Sequence, residues 1–249
     1  MNMYYRKLGG GVVIVNARPE HAPQMEELQK ICFPTLADQE RFKSVHYLKH
    51  IQLFGSGQFV ALNGLNGRLV IGATTTLRLN FDFEHVHHTF ADVIGGGWLT
   101  AHQPDGEWLY GADISVRPEN RGRGIATTLY AARQDLVWKL GLKGQITAGM
   151  IPGYSEVKDK MSAQAYFQGV VSRRIKDPTL SMQMKVGFEP RALLANYIND
   201  PVSDNYAGLL VLQASKCVPG ATFQDVGGAC AERYVGRGNP PAGRRRLGK

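Results

Sequence analysis

The most constraining feature of this sequence is a run of arginines and glycines between a strand pattern and a helix pattern. Residues 107–116 (EWLYGADISV) have the composition of a β-strand, and a Pro–Glu–Asn turn follows them. Arg121, Gly122, Arg123 and Gly124 come next, and then apolar side chains recur with helical spacing. Glycines at such a junction let main-chain N–H groups converge on an anion, and the helix N-terminus adds partial positive charge. The pattern therefore predicts a site for a pyrophosphate group.

Two common phosphate-binding motifs are excluded by the spacing of these residues. The chain has no GxxxxGK[ST] segment, which excludes the usual nucleoside triphosphate loop. No GxGxxG follows the first strand pattern with an acidic residue about twenty positions on, which argues against a dinucleotide fold. A glycine-rich connection with surface arginines and no ligand is the alternative that this segment alone leaves open.

Composition indicates a globular protein with an ample core. The chain has 249 residues, of which 43% are hydrophobic and 20% are charged. No apolar run approaches the ~20 residues that a membrane span needs, and the N-terminus lacks a signal-peptide pattern. Cys32, Cys217 and Cys230 are scattered without a CxxC pair, which argues against a disulfide framework or a zinc knuckle. We expect a cytoplasmic protein that does not enter the membrane.

The net charge of +8 is concentrated at the C-terminus. Residues 214–249 carry seven cations and two anions, together with seven Gly and three Pro. We therefore predict one domain over residues 1–213 and a flexible Gly/Pro/Arg-rich tail over residues 214–249. Such a tail can bind nucleic acid, but a solubilising role explains the same composition, and we do not expect a nucleic-acid partner.

Strand and helix patterns alternate along the chain. Strands are predicted at residues 11–17, 58–62, 68–80, 107–116, 145–151 and 207–212, and helices at residues 19–32, 38–54, 125–140, 162–175 and 177–186. Asn66 and Gly67 form a favourable hairpin turn, and residues 81–105 form a long excursion from that hairpin. Gly141 is predicted to cap one helix and Ser162 to begin another. This order predicts a mixed α/β domain with one central sheet.

The arginine–glycine run resembles motif A of the GNAT superfamily of acyl-CoA-dependent N-acyltransferases. That motif has the form (Arg/Gln)-x-x-Gly-x-(Gly/Ala), and Arg121, Gly124 and Ala126 match it. Gly187 and Phe188 are similar to the closing Gly–Phe segment of the family. The order of the predicted elements agrees as well. The resemblance implies a central, mostly antiparallel, splayed sheet with helices on both faces.

A narrower resemblance is to the GNAT-type domains found ahead of carbon–nitrogen hydrolase domains. Residues 107–111 (EWLYG), 151–154 (IPGY) and 177–181 (DPTLS) are similar to segments of that subgroup. Only the short tail follows here, so we expect a stand-alone version of the domain.

The resemblance implies acetyl-CoA as co-substrate and no metal. The pyrophosphate of CoA is expected on the amides of the glycine-rich turn, and the pantetheine is expected along the preceding strand. The acyl group is expected in the gap beside the strand at residues 145–151. The residues that the resemblance assigns to CoA are Ile114, Ser115, Val116, Arg121, Gly122, Arg123, Gly124, Ile125, Ala126 and Thr127.

Direct transfer of an acyl group to an amine needs a base, and an acid can assist the leaving thiolate. The closing segment aligns Gln183 with a tyrosine acid of many members, and an amide cannot protonate a thiolate. Tyr154 is a candidate substitute. Asp113 and Glu107 are the candidate bases, and on an unbulged strand they share one face, about 20 Å apart. At that distance the two carboxylates cannot both take part in one proton transfer. Water is an alternative base, and either carboxylate can instead have a purely structural role.

His85, His87 and His88 lie near Asp82 and Glu84, which raises a metal hypothesis. Positions 85 and 87 share a face if the segment is a strand, but no further ligand has recognisable spacing. A polar loop at a substrate entrance is the simpler interpretation.

These observations favour an acetyl-CoA-dependent N-acetyltransferase that acts on a small-molecule or protein amine. The alternative is an acyl-CoA-binding or regulatory module without transfer activity, because Gln183 replaces the usual tyrosine. The sequence is compatible with a homodimer. It does not identify the acceptor amine.

Overall fold

One sheet organises the computed structural model, which describes residues 4–64 and 69–216 and contains eight strands in those ranges. The strands are β1 (Tyr5–Leu8), β2 (Val12–Asn16), β3 (Phe59–Asn63), β4 (Leu69–Leu79), β5 (Trp108–Val116), β6 (Gly144–Met150), β7 (Glu189–Leu194) and β8 (Ala207–Gln213). Their order is β1-β2-β3-β4-β5-β6-β8-β7, and only the β5–β6 pair is parallel. This is the mixed α/β fold with a mostly antiparallel central sheet that the sequence predicts.

Helices cover both faces of this sheet. They are α1 (Ala22–Cys32), α2 (Ser44–Phe54), α3 (Phe90–Ile94), α4 (Ile125–Lys139), α5 (Ala163–Val171) and α6 (Leu180–Val186). Successive side chains of β3 point to opposite faces of the sheet. Val60 and Leu62 pack in the core that contains α1 and α2. Phe59 and Ala61 pack in the core that contains α4. Helices α5 and α6 form a third cluster with Phe188.

Strands β5 and β6 separate halfway along their length. They are paired from Trp108 opposite Gly144 to Gly111 opposite Thr147. The Thr147 hydroxyl donates to the Gly111 carbonyl at 3.0 Å across the last rung. Beyond that rung β5 stays paired with β4, and β6 stays paired with β8. The predicted splay is confirmed, and it leaves a gap between residues 112–116 and 148–150.

A β-bulge interrupts β5 at the start of this gap. Thr75 pairs with Asp113 whereas Thr76 pairs with Gly111, so Ala112 is the extra residue. A bulge reverses the alternation of side chains, and Asp113 consequently faces the α1 and α2 side of the sheet. The expectation that Glu107 and Asp113 share one face is therefore wrong, because it assumed an unbulged strand.

The helix predicted over residues 38–54 begins later than expected. A short helical turn covers Asp38–Glu40, and the α-helix starts at Ser44 because Lys43 has extended backbone angles. The sequence pattern predicts an inward face of Phe42, Val45, Leu48 and Ile51. That face is partly wrong, since Val45 and Leu48 are 54% and 44% exposed. The buried face of α2 consists of His46, Tyr47 and His50. Phe42 is buried as expected, but it lies outside the helix.

Several local predictions are confirmed, and a few elements were missed. Gly141 follows α4 with a φ of 65°, and the Ser162 hydroxyl accepts from the Ala165 amide at 3.2 Å. Strand β1 and helix α3 carry no clear pattern in the sequence, and α3 lies within the excursion at residues 81–105. The Asn66–Gly67 turn lies outside the described residues, as do residues 217–249. In the described ranges, no helix combines the length and apolar character of a membrane span.

Candidate active site

The turn before α4 is open to an anion. Gly122 and Gly124 have φ values of 76° and 78°, which other residues rarely adopt, and nothing lies within 4 Å of a Cβ built at either. The first amides of a helix have no intrahelical acceptor, and the described residues supply none to the amides of residues 122–127. The predicted CoA residues from Arg121 to Thr127 thus lie together, around a cradle that a phosphate group fits.

The two arginines of this turn are exposed at its rim. Arg121 Nε donates to the Val116 carbonyl at 3.2 Å, which ties the turn to the end of β5. Arg123 Nη2 lies 3.5 Å from the Gly10 carbonyl. Both guanidinium groups are therefore placed to add positive charge beside the open amides.

A cavity begins where β5 and β6 separate. Its volume is about 110 Å³, and its mouth is open to solvent. One side is the gap itself, lined by Ile114 from β5 and by residues 148–150 from β6. The opposite walls come from α1, from the turn before α2, from α6 and from the loop between β7 and β8. Of the strand residues predicted to contact pantetheine, Ile114 lines the cavity, whereas Ser115 and Val116 continue β5 toward the glycine-rich turn.

Asp113 is the buried carboxyl of this cavity. Burial raises its pKa to about 7, and the neighbouring Gln29 amide and Arg133 charge oppose that shift. Its Oδ2 atom has no hydrogen-bond partner among the described residues. A carboxyl with a pKa near 7 is suited to exchanging a proton at neutral pH.

Arg133 of α4 supports the bulge that positions Asp113. Its guanidinium is buried, and Nη2 donates to the Asp113 carbonyl and to the Thr74 hydroxyl. The same group packs against the Cα of Gly111, where a Cβ would lie 2.2 Å from Nη1. Its carbon Cζ stacks over the Tyr130 ring at 5.1 Å. Glycine at position 111 is therefore required for this close approach.

Gln183 lines the cavity as the alignment of the closing segment predicts. It lies on α6, is buried, and donates through Nε2 to the Tyr130 hydroxyl at 3.0 Å. Its Oε1 atom lies beside the Cα of Gly149 in β6. Gln183 therefore separates the Tyr130 hydroxyl, which it contacts, from the cavity, and Tyr130 does not itself line the cavity.

Two of the predicted catalytic candidates lie elsewhere. The Tyr154 ring is buried, and its hydroxyl donates to the Met161 carbonyl at 3.1 Å, outside the cavity. Glu107 precedes β5, and its half-exposed carboxylate pairs with Lys143 at 2.6 Å. Asp113 is therefore the only one of the three candidates that the structure brings to the cavity.

The histidine segment forms a loop rather than a strand. His85 is exposed and bonds Asp82 at 2.8 Å, and His87 points to solvent as an exposed residue. His88 turns inward, where its Nε2 lies 2.7 Å from the Tyr110 hydroxyl. Within residues 4–64 and 69–216 no group of three His, Cys, Asp or Glu side chains could hold a metal ion.

The cavity residues that the sequence reasoning missed include Gln29, Glu40 and Tyr197. They come from α1, from the turn before α2 and from the loop before β8. None of them belongs to a motif, and only the folded chain brings them beside Asp113.

Fold and site together define a mixed α/β domain with an open, glycine-rich helix N-terminus beside a splayed pair of parallel strands. "Uncharacterized N-acetyltransferase YkwB" of Bacillus subtilis (strain 168) is 35% identical over 184 residues, which cover 74% of this chain and 80% of that protein. The chain belongs to the GNAT superfamily of acyl-CoA-dependent N-acyltransferases. The resemblance seen in the sequence is thereby confirmed.

Other comparisons agree on the fold. "Probable hydrolase YhcX" of the same organism is 36% identical over 200 residues, which cover 80% of this chain but only 38% of that protein. This chain therefore spans well under half of that relative. A solved structure titled "GphF GNAT-like decarboxylase in complex with isobutyryl-CoA" superposes with a TM-score of 0.65 at 19% identity, covering 81% of this chain and 98% of that one. No family model matches the chain.

Proposed function

We propose that this protein transfers an acetyl group from acetyl-CoA to a primary amine by direct attack. The observation that carries the proposal is the continuity of one surface. It runs from the open amides of the glycine-rich turn, along β5, to the gap beside the buried Asp113 carboxyl. The GNAT-like decarboxylase with a similar fold is in complex with isobutyryl-CoA, which supports an acyl-CoA at this surface.

Each part of the surface suits one part of acetyl-CoA. The pyrophosphate binds the amides of residues 122–127, with Arg121 and Arg123 at the rim. The pantetheine lies along Ile114, Ser115 and Val116. Main-chain groups of β5 no longer pair with β6 in this stretch. Those that do not already bond Arg121 or Arg133 are left for the pantetheine amides and the thioester oxygen.

Asp113 supplies the base. The acceptor enters from the side of α1 and α2, and the Asp113 carboxylate takes one proton from its ammonium group. The freed amine nitrogen bonds to the thioester carbon, the carbon–sulfur bond breaks, and CoA leaves as its thiolate. The nitrogen loses its second proton to solvent as the amide forms. Gln183 has no proton to give near neutral pH, and we assign protonation of the thiolate to solvent.

A screen of amine acceptors with acetyl-CoA, followed by release of free thiol, tests the proposal. We expect turnover with at least one primary amine, and none without an acceptor. The second candidate is an acyl-CoA-binding module without transfer activity, which the amide at position 183 favours. Binding of acetyl-CoA without turnover on any amine would support that module.

We further propose a cytoplasmic location, since the cytoplasm contains a soluble pool of acetyl-CoA.

A further inference from the structure

Among the described residues, the charged ones that line the cavity are all acidic. Glu40 and Asp113 are its charged lining residues, and the described chain contributes no Lys, Arg or His to the lining. Asp113 is buried, whereas Glu40 is half-buried on the short turn before α2, so Glu40 lies nearer the mouth. Desolvation raises the pKa of Glu40, and the main-chain amide of Asn199 opposes that shift.

A buried chain of hydrogen bonds ends at the same wall. His88 Nδ1 lies 2.8 Å from the Val86 carbonyl, and its Nε2 lies 2.7 Å from the Tyr110 hydroxyl. The Tyr110 hydroxyl lies 3.0 Å from the Tyr197 hydroxyl. Tyr197 and Glu40 both line the cavity. Burial raises the pKa of Tyr197, the bond with Tyr110 opposes that shift, and the charge of Glu40 adds to it. Tyr110 is fully buried and does not line the cavity.

The direction of this chain follows from its first member. A carbonyl oxygen can only accept, so His88 Nδ1 carries the proton and neutral His88 accepts at Nε2. Tyr110 must therefore donate to His88, and Tyr197 must donate to Tyr110. The single hydroxyl proton of Tyr197 is then used, and its oxygen can offer the cavity only a lone pair. Burial keeps the pKa of both tyrosines above its usual value, so neither loses its proton near neutral pH.

We propose that Glu40 and Tyr197 form a subsite for a second cationic group of the acceptor, which makes the acceptor a diamine or a similar dication. This inference rests on the proposed function, because the first amino group reacts beside Asp113. The second ammonium donates to the Glu40 carboxylate and to the Tyr197 oxygen. Phe33, Phe42 and Phe90 line the same cavity and cover the methylene chain between the two charges. His88 and Tyr110 act as positioning residues that hold Tyr197 as an acceptor.

Binding to the CoA-loaded protein tests the subsite without relying on turnover. Calorimetry measures the affinities of 1,5-diaminopentane and of 1-aminopentane, which has the same carbon chain but only one amino group. We expect the diamine to bind at least tenfold more tightly at pH 8, since a hydrogen bond between charged partners is stronger than one between neutral groups. Equal affinities of the two amines would overturn the inference, whatever the turnover.

Two variants separate the parts of the subsite. Glu40→Gln removes the charge and is expected to reduce the preference for the diamine to about threefold or less. Tyr110→Phe keeps the ring but frees the Tyr197 proton to turn toward the cavity, where it opposes a cation. It should reduce the preference although Tyr110 touches no ligand. Tyr4→Phe is the matched control, because it deletes a hydroxyl that bonds Asp135 far from the cavity.

The pH dependence gives a readout that a merely structural role would not move. Protonated His88 donates at Nε2 and reverses the chain, so Tyr197 becomes a donor to the cavity. Burial and His87 lower the pKa of His88, whereas the Val86 carbonyl and Asp92 raise it, and the balance is below the usual 6.5. The preference for the diamine should therefore fall on acidification below pH 6.5 in the wild type. Protonation of Glu40, whose pKa is raised by burial, adds to this fall in every variant that keeps Glu40. In Tyr110→Phe the preference should not depend on the protonation of His88, because the hydrogen-bond chain from His88 to Tyr197 is broken. A Tyr110→Phe preference equal to that of the wild type at every pH would contradict the role of this chain.

Turnover then distinguishes the two proposals. Acetylation of the diamine with a lower KM than the monoamine supports both. Tight binding of the diamine with no thiol release from any amine would support the subsite and overturn the proposed acetyl transfer.

Discussion

At the scale of single residues, the chemistry of the site depends on how burial changes one carboxyl. Asp113 is removed from water by α1, α2 and the bulge of β5, and its pKa rises to about 7. Glu107, on the same strand segment in the sequence, stays beside Lys143 at the surface. The two carboxyls differ in environment, and only the buried one combines a cavity position with a pKa suited to a base.

Replacing Asp113 by Asn should therefore impair catalysis while leaving CoA binding intact. We expect kcat to fall about 10²-fold, because general base catalysis of this kind contributes 10²–10⁴-fold. The wild-type rate should also rise with pH through about 7 as the carboxyl loses its proton, and the variant should lack that limb. Steady-state rates from pH 5.5 to 9 with a saturating amine test this. An unchanged pH profile in Asp113→Asn would exclude Asp113 as the base.

Gln183 should contribute little to the chemical step, although it occupies a position that often holds a tyrosine. Its side chain bonds the Tyr130 hydroxyl and has no acidic proton near neutral pH. We expect Gln183→Ala to reduce kcat less than tenfold with acetyl-CoA affinity preserved. Tyr130→Phe is the control, because it deletes the hydroxyl that Gln183 contacts. A collapse of kcat in the Gln183 variant alone would show that this amide assists the leaving group.

At the scale of elements, the proposed anion site at the N-terminus of α4 depends on the two glycines that precede the helix. Gly124 has the left-handed conformation that ends the turn, and its open side is where the phosphate is expected. Gly141 offers a matched position at the other end of the same helix. It has a φ of 65° and also has nothing within 4 Å of a built Cβ.

Gly124→Ala should weaken CoA binding at least tenfold, which corresponds to ~1.4 kcal/mol. Gly141→Ala should leave CoA affinity unchanged. Both variants carry a similar backbone cost of about 1–2 kcal/mol, since each places a Cβ on a left-handed residue. Calorimetric titration with CoA and a thermal melt of each variant separate binding from folding. Equal CoA affinities in the two variants would contradict the proposed pyrophosphate site.

The contrast between predicted and observed elements has a local cause. The strand, glycine turn and helix around Arg121 were predictable because each residue there has a strong backbone preference. The bulge at Ala112 was not, because it depends on Arg133, which approaches from α4 and leaves space only for Gly111. The buried face of α2 was mispredicted for a similar reason. Its start at Ser44 is fixed by contacts of the Glu26 carboxylate with the Ser44 amide and hydroxyl, at 2.8 and 2.6 Å.

At the scale of the whole molecule, contacts between the sheet domain and the following residues continue to Lys216. Trp138 Nε1 donates to the Ala214 carbonyl at 2.5 Å, and Lys216 pairs with Glu189. We expect a chain ending at Lys216 to retain the melting temperature and CoA affinity of the full chain. A chain ending at Gln213 should melt at a lower temperature, because Trp138 then loses its hydrogen bond to the part-buried Ala214 carbonyl. A large loss of stability in the longer truncation would show that residues 217–249 belong to the domain.

Two buried groups give the stability of the molecule opposite dependences on pH. Asp113 keeps its proton to about pH 7 when folded and to about pH 4 when unfolded, so the folded chain binds more protons between those values. Its contribution therefore makes the free energy of unfolding fall as pH rises from 4 to 7. Burial lowers the pKa of His50 to about 4, so its contribution is lost as pH falls from 6.5 toward 4.

A comparison of wild type with Asp113→Asn isolates the carboxyl, because His50 acts equally in both proteins. Between pH 5 and pH 8 the variant should gain ~3 kcal/mol of unfolding free energy relative to the wild type, or about 1.4 kcal/mol per pH unit up to pH 7. Urea denaturation at pH 5, 6, 7 and 8 measures this difference. The gain should level off above pH 7, where the folded carboxyl is already ionised. A constant difference across the four pH values would show that Asp113 is not protonated in the folded chain at pH 5, and it would also remove the reason for assigning it as the base.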